Sequence, residues 1–212
     1  ALDLLTQRQL LIGKQIMTRI QAIAPDNASG KSKELLDAVN AKFGMVPNIA
    51  RTMAIAPSVL EGYLELSGAL AMGTLSAKVR EQIALTVAQC NGCDYCLAAH
   101  SAVGKMVGLT EEQILDSRHG KANDSKTDAV LRLVGLLGDN RGRVTDRELE
   151  EARTAGLNDA TIAEIVATVA LNIFTNYFNH VADPEIDFPK AAPLSLGTEA
   201  CNVGEACCSS HK

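Results

Sequence analysis

The chain has 212 residues, 47% hydrophobic and 21% charged, which is enough for one packed domain of ordinary globular composition. Twenty Lys and Arg against 25 Asp and Glu give a formal net charge of −5, and no run of basic residues points to nucleic acid or an anionic membrane as a partner. No apolar segment approaches ~18 uncharged residues, and the N-terminal ALDLLTQRQLLIGKQ lacks a basic stretch followed by an apolar one, so neither a membrane span nor a secretory signal is expected and the protein is placed in the cytoplasm.

Apolar residues recur at intervals of three and four, with no sustained period-two alternation, so the expected fold class is all-α. Leu5 to Ile23 reads as an amphipathic helix stopped near Pro25-Asp26-Asn27. Lys33 to Phe43 is a second, closed by Gly44. A third begins after Pro57 and ends near Gly73. Ser76 then reads as the N-cap of a helix that carries Glu81 through about Cys90. Asn91-Gly92 is a turn signal, after which a new helix starts close to Cys93. Thr110-x-x-Gln113, Thr145-x-x-Glu148 and, more weakly, Ser125-x-x-Asp128 resemble capping boxes, predicting helices at 111–116, 126–138 and 146–155. A long apolar helix from Asp159 to His180 comes last. The polar loop His119 to Asp124 is the candidate seam between halves. From Ala191 onward the residues are small and polar, so residues 1–190 are expected to form a helical domain and 191–212 a mobile tail.

A faint internal repeat relates about 75–100 to 157–182. With Leu75 set on Leu157, Ile83 matches Ile165, Thr86 matches Thr168, Val87 matches Val169, Ala88 matches Ala170 and Tyr95 matches Tyr177. Glu81 then faces Ala163, Cys93 faces Thr175 and Cys96 faces Phe178. The pattern reads either as a duplicated helical unit whose second copy lacks the active cysteines, or as coincidence between two apolar helices.

The chemistry concentrates in EQIALTVAQCNGCDYCLAAH, residues 81–100, with the spacing E-x11-C-x2-C-x3-H. Six cysteines fall in two groups, Cys90, Cys93 and Cys96 here and Cys201, Cys207 and Cys208 in the tail, which is not the layout of a disulfide framework. On the helix after the turn, Cys93 and Cys96 are three apart and Cys96 and His100 four apart, so the three share a face. The helix start favours a thiolate. Glu81 precedes the turn by about 15 Å of helix and His100 follows it by about 12 Å. A hairpin folded at Asn91-Gly92 therefore brings them level, and the carboxylate can orient an imidazole that takes a proton from Cys96 directly or through water.

Three readings of these residues stand side by side: a redox-active dithiol, a metal site and inert structural cysteines. Cys90, Cys93, Cys96 and His100 resemble an iron–sulfur ligand run, while Cys93, Cys96 and His100 could hold zinc with one further ligand. Cys90 falls inside a predicted helix and reads as a small buried apolar side chain. A soft-metal or metalloid-binding protein that uses the core and tail cysteines, with His211, is the alternative function.

The full pattern, together with FGMVPNIARTMAIAPSVLEGYLELSGAL upstream and NYFNHVADPEIDFP downstream, resembles the AhpD-like alkylhydroperoxidases of the carboxymuconolactone decarboxylase superfamily, in their peroxidase-related branch, over about residues 8 to 190. The resemblance implies an all-helical, homo-oligomeric protein with a duplicated helical core. It also implies a thiol-dependent peroxidase or disulfide oxidoreductase acting on hydroperoxides in antioxidant defence, without a cofactor or metal. By the same resemblance Cys96 is the peroxidatic thiol, Cys93 the resolving thiol, His100 the base and Glu81 its orienter, and a lipoyl or thioredoxin-like dithiol is the reductant. Helix-dipole reasoning alone would favour Cys93 for the lower pKa. Two departures stand out. Asp94-Tyr95 lies between the cysteines, and an acid there is expected to raise the thiol pKa and slow turnover. The tail cysteines have no counterpart in the pattern. Elsewhere, His180 reads as a helix-end residue, Tyr63, Tyr95 and Tyr177 as packing residues with a polar end, and Met45, Met53 and Met72 as gap fillers or the lining of a substrate mouth.

Overall fold

In the computed structural model, which describes residues 18–194, every regular element among the described residues is helical. A 3-10 turn at Pro25–Asn27 precedes α1 (Gly30–Phe43), α2 (Asn48–Met53), α3 (Pro57–Ala71), α4 (Ala77–Cys90), α5 (Asp94–Met106), α6 (Glu111–Arg118), α7 (Ser125–Asp139), α8 (Asp146–Thr154) and α9 (Asp159–Ala182).

Most boundaries follow the local chemistry. Gly44 closes α1 in the left-handed region at φ 71°, its N–H bonded to the Asn40 carbonyl. Proline opens α3 where its missing N–H costs nothing. Thr110 with Gln113, and Thr145 with Glu148, form complete capping boxes. The α7 cap differs from expectation: Asp124, rather than Ser125, accepts the Thr127 N–H at 2.8 Å, and Asp128 accepts from Ala122. The short α2 helix has no counterpart among the predicted elements.

The predicted helix Leu5 to Ile23 is corrected over its last residues, and its remainder lies outside the described residues. Residues 18–23 are irregular. The amides of Arg19 and Ile20 reach the Ala182 carbonyl and that of Ile23 reaches the Arg51 carbonyl, so tertiary partners take the bonds a helix would have used.

Helix α4 is the centre of the molecule, packing against α5, α6, α7 and α9. The largest core cluster joins Leu75, Ile83 and Val87 to Leu131 and Val134 of α7 and to Ile165 and Val169 of α9. It runs across the loop at 119–124, so that loop does not separate two cores. Full burial of side chains such as Ile83, Leu131 and Ile165 stabilises the fold by about 1.5–3 kcal/mol each. A second cluster, Leu36, Val39, Ala50, Met53 and Leu60, receives Phe178 of α9. Met53 thus fills core, whereas Met45 and Met72 are exposed.

In the proposed repeat register Leu75 and Leu157, Ile83 and Ile165, Thr86 and Thr168, and Val87 and Val169 are buried in both copies, but Ala84 is buried and Val166 exposed, Ala88 buried and Ala170 exposed, Tyr95 buried and Tyr177 exposed. The chain breaks between α4 and α5, while α9 continues unbroken for 24 residues. By length and composition α9 is apolar enough to cross a membrane, contrary to the hydropathy reading. Its inner face nevertheless carries buried Asn172, Thr175, Asn176 and Asn179, and those side chains build the site described next.

Candidate active site

The α4–α5 hairpin creates the site. Ser76 caps the start of α4 by accepting the Val79 N–H. At the other end Gly92 takes φ +62°, its N–H bonding the Gln89 carbonyl at 3.2 Å, and the Cys93 N–H bonds the Ala88 carbonyl at 2.9 Å. This pair of bonds is a Schellman motif, which needs a left-handed residue where glycine stands. Cys93 therefore ends one helix and caps the next: its Sγ accepts the Cys96 N–H at 3.4 Å.

The fold-back brings Glu81 and His100 together, with Glu81 Oε2 2.8 Å from His100 Nδ1, both side chains mostly buried. Cys93 and Cys96 are free thiols, each 2% exposed. They are hydrogen-bonded to one another and share one amide: Asn179 Nδ2 of α9 donates to Cys96 Sγ at 3.1 Å and lies 3.9 Å from Cys93 Sγ.

The pair divides its charge unequally. The Cys96 S–H donating to it holds the Cys93 pKa below the usual thiol value against the opposing effect of burial, with help from the Cys96 N–H, Asn179 and the nearby His100. Cys96 is pushed up, first by its hydrogen bond to Cys93, then by burial and the charge on Cys93, although Asn179 and Asn176 act in the opposite sense. Of the two sulfurs, Cys93 is the one whose surroundings favour the thiolate, as the helix-start argument alone suggested. Burial lowers the proton affinity of His100, but Glu81, by its charge and its hydrogen bond, and the Cys93 sulfur together raise the pKa above 6.5. The electrostatic partner of His100 within the thiol pair is Cys93, although Cys96 is the residue one turn before it.

Asp94 is exposed and its charge is felt by the Arg118 guanidinium. The leading influences on the two thiols are each other, burial, Asn179, Asn176 and His100 rather than Asp94. Arg118, 5% exposed, bonds Gln89 Oε1 at 2.9 Å and the Ala192 carbonyl at 2.6 Å. Tyr95 is buried, its hydroxyl donating to Asp187 Oδ1 at 2.7 Å and accepting the Ile49 N–H at 3.2 Å. Asp187 also accepts the Asn48 N–H. Ile186, Phe188 and Ala191 pack over Ala88, Cys93, Tyr95, Cys96 and Leu97, so residues 183–194 form a strap across the thiols.

Several site residues were not singled out by sequence. Tyr63 of α3 packs against the second core cluster, as expected, and its phenol is also pushed up to about 12, by burial first and then by Glu81 and Cys96, which puts its polar end towards the site. Asn176 and Asn179 stand in the NYFNH run, read only for its histidine, and their i, i+3 spacing on an apolar helix was the available signal. His180 itself is exposed. Cys90 is half-buried rather than buried. The tail residues Cys201, Cys207, Cys208 and His211 lie outside the described residues. Among the described residues no group of three or more His, Cys, Asp and Glu is arranged to hold a metal ion. A hollow of about 280 Å³ lined by Ser76, Lys78, Gln82, Gln113 and Asp116 contains none of the thiol-site residues.

The all-helical fold is of the AhpD type. Residues 57–139, which hold Glu81, Cys93, Cys96 and His100, match the carboxymuconolactone decarboxylase family. The match spans α3 to α7, and the fold is shared with AhpD-like structures. Its structure is similar to that of an uncharacterized peroxidase-related protein from Silicibacter sp. TM1040, with TM-score 0.70 and 21% identity over 85% of this chain and 96% of that one. It is similar also to an AhpD-core, peroxidase-related protein from Ralstonia eutropha JMP134, with TM-score 0.70 and 22% identity over 81% and 93% of the two chains. A further likeness is to the debrominase Bmp8, with TM-score 0.69 and 16% identity over 82% and 94%. No curated protein matches the chain.

Proposed function

We propose that the protein is a thiol-dependent peroxidase that reduces hydroperoxides through Cys93 and Cys96. The observation that carries this reading is the Glu81–His100 pair at 2.8 Å set beside two buried, mutually hydrogen-bonded thiols.

In the first step the proton of the S–H···S bond passes from Cys96 to Cys93, and the Cys96 thiolate attacks the terminal oxygen of the hydroperoxide. The S–O bond forms, the O–O bond breaks, and the alkoxide leaves as an alcohol with a proton from the His100 side. In the second step Cys93, whose low pKa returns it to the thiolate, attacks the sulfur of the Cys96 sulfenic acid. The S–S bond forms, the S–O bond breaks and hydroxide leaves as water after taking a proton. The sum is one hydroperoxide and two thiols giving one alcohol, one water and one disulfide. A resolving thiol needs to be ionised to attack, so the lower pKa of Cys93 supports its place in the second step. Glu81 keeps His100 oriented and basic enough to carry both protons.

A dithiol reductant, lipoyl or thioredoxin-like by resemblance, would reopen the disulfide, and the cytoplasm would be the working compartment. The test is hydroperoxide consumption with dihydrolipoamide as reductant. Cys96→Ser is expected to abolish turnover, while Cys93→Ser leaves one sulfenic acid per chain, trapped on Cys96 by dimedone, and no catalytic cycle. Undiminished turnover by Cys96→Ser would refute the assignment of roles.

A further inference from the structure

Asn176 is 0% exposed, yet its Nδ2 has no hydrogen-bond partner among protein atoms. A buried amide N–H left open in this way is costly. Its orientation is imposed: Asn91, the residue that ends α4, donates through Nδ2 to Asn176 Oδ1 at 2.8 Å, which leaves the nitrogen as the free end. That free end lies near enough to Cys96 to favour its thiolate. One turn further along α9, the amide nitrogen of Asn179, 4% exposed, occupies the Cys96 sulfur at 3.1 Å. Two amides thus converge on one sulfur, one already bonded to it and one open. The residue that holds the open donor in place belongs to the hairpin that carries the thiols, since Asn91 and Cys93 flank Gly92.

We infer that Asn176 is a further catalytic residue: its free amide N–H receives the oxygen that leaves when Cys96 attacks a hydroperoxide, while Asn179 positions the sulfur. This rests on the peroxidase reading and extends it. As the O–O bond breaks, negative charge moves from sulfur to the departing oxygen. A fixed N–H beside the sulfur meets that charge as it develops, in a site closed to water. The division of labour follows from geometry. Asn179 is already bonded to sulfur in the resting protein, so it acts on thiol ionisation. Asn176 makes no hydrogen bond of good geometry with the sulfur and ranks after Asn179 in lowering the Cys96 pKa, so its donor is the one available to the leaving group. Alkylation by iodoacetamide separates the two, because iodide departs there and no oxygen needs a donor.

The experiment measures two single-turnover rates on reduced full-length protein, by mass spectrometry with fragmentation that localises each modification to Cys96 rather than Cys93: oxidation by cumene hydroperoxide and alkylation by iodoacetamide, both across pH. For Asn176→Ala the peroxide rate is expected to fall about 100-fold or more, with the alkylation rate falling only as far as the change in thiolate fraction across pH requires. For Asn179→Ala both rates are expected to fall together, and the thiolate titration at 240 nm to move to higher pH. Asn91→Ala leaves Asn176 in place but frees its oxygen, and is expected to lower the peroxide rate selectively by about tenfold; it serves should Asn176→Ala not fold. Equal loss of both rates in Asn176→Ala and Asn91→Ala, or no loss in either, overturns the role given to Asn176. If the wild-type protein alkylates readily but oxidises no faster than a free thiol, the peroxidase reading itself fails, and the leaving-oxygen role falls with it.

Discussion

At the scale of single residues the account turns on proton affinities set by neighbours. Burial disfavours the charged His100, and the carboxylate of Glu81 reverses that effect. Removing the charge while keeping the shape, as Glu81→Gln, leaves burial dominant. The His100 pKa is then expected to drop below its wild-type value in an NMR titration of the imidazole, and peroxide turnover to fall on the order of 100-fold. The same pair makes stability depend on pH. Because the folded His100 pKa is raised above its ordinary 6.5, the contribution is fully present below 6.5 and is lost as the pH rises through the folded value. Urea midpoints measured from pH 6 upward are expected to decline in the wild type and to flatten in Glu81→Gln. The Glu81–His100 contact was legible in the sequence because x11 is the spacing a hairpin folded at Asn91-Gly92 requires. Asn176 and Asn179 were not, since they come some 80 residues later in the chain and only the tertiary packing of α9 on the hairpin brings them to the sulfurs.

At the scale of elements, the hairpin turn links sequence to chemistry most directly. Gly92 sits at φ +62° with open space around the position of a Cβ, so Gly92→Ala tests backbone conformation without a steric clash. It is expected to lower stability by about 1 kcal/mol, read as a shift in the urea midpoint with an unchanged slope. Turn and cap chemistry was written locally and could be read locally, as in the Thr110–Gln113 and Thr145–Glu148 boxes. The errors arose where tertiary contacts overrode the local pattern. Residues 18–23 have the apolar spacing of a helix but give their amides to the carbonyls of Arg51 and Ala182. The strap over the thiols likewise carries no periodic signal, because Asp187 and Phe188 act through Tyr95 rather than through a repeat of their own.

At the scale of the whole molecule, composition and periodicity were sufficient for the all-α class but not for the way α9 is used. That helix reads as uniformly apolar, whereas its inner face presents asparagines to the site and its outer face is exposed. Val166, Phe174, Tyr177 and Val181 are all solvent-exposed, and their offsets place them within about 80° of one another around the helix. We propose that this stripe joins copies of the chain, in keeping with the oligomer the family resemblance implies. Sedimentation equilibrium is expected to return a multiple of the chain mass, and Tyr177→Glu to weaken association by about 2–3 kcal/mol or more, since a charge would be buried without a partner. A wild-type protein that sediments as a single chain at every concentration would remove this proposal.

The central claim is that two thiols at one hairpin are oxidised together by a hydroperoxide. Its most direct test is the intact mass and peptide map of fully reduced protein after one equivalent of cumene hydroperoxide. The account predicts the loss of two hydrogens per chain, with the disulfide mapped to Cys93 and Cys96. Oxidation that stops at an oxygen adduct on either cysteine, or a disulfide formed elsewhere while these two remain reduced, would contradict it.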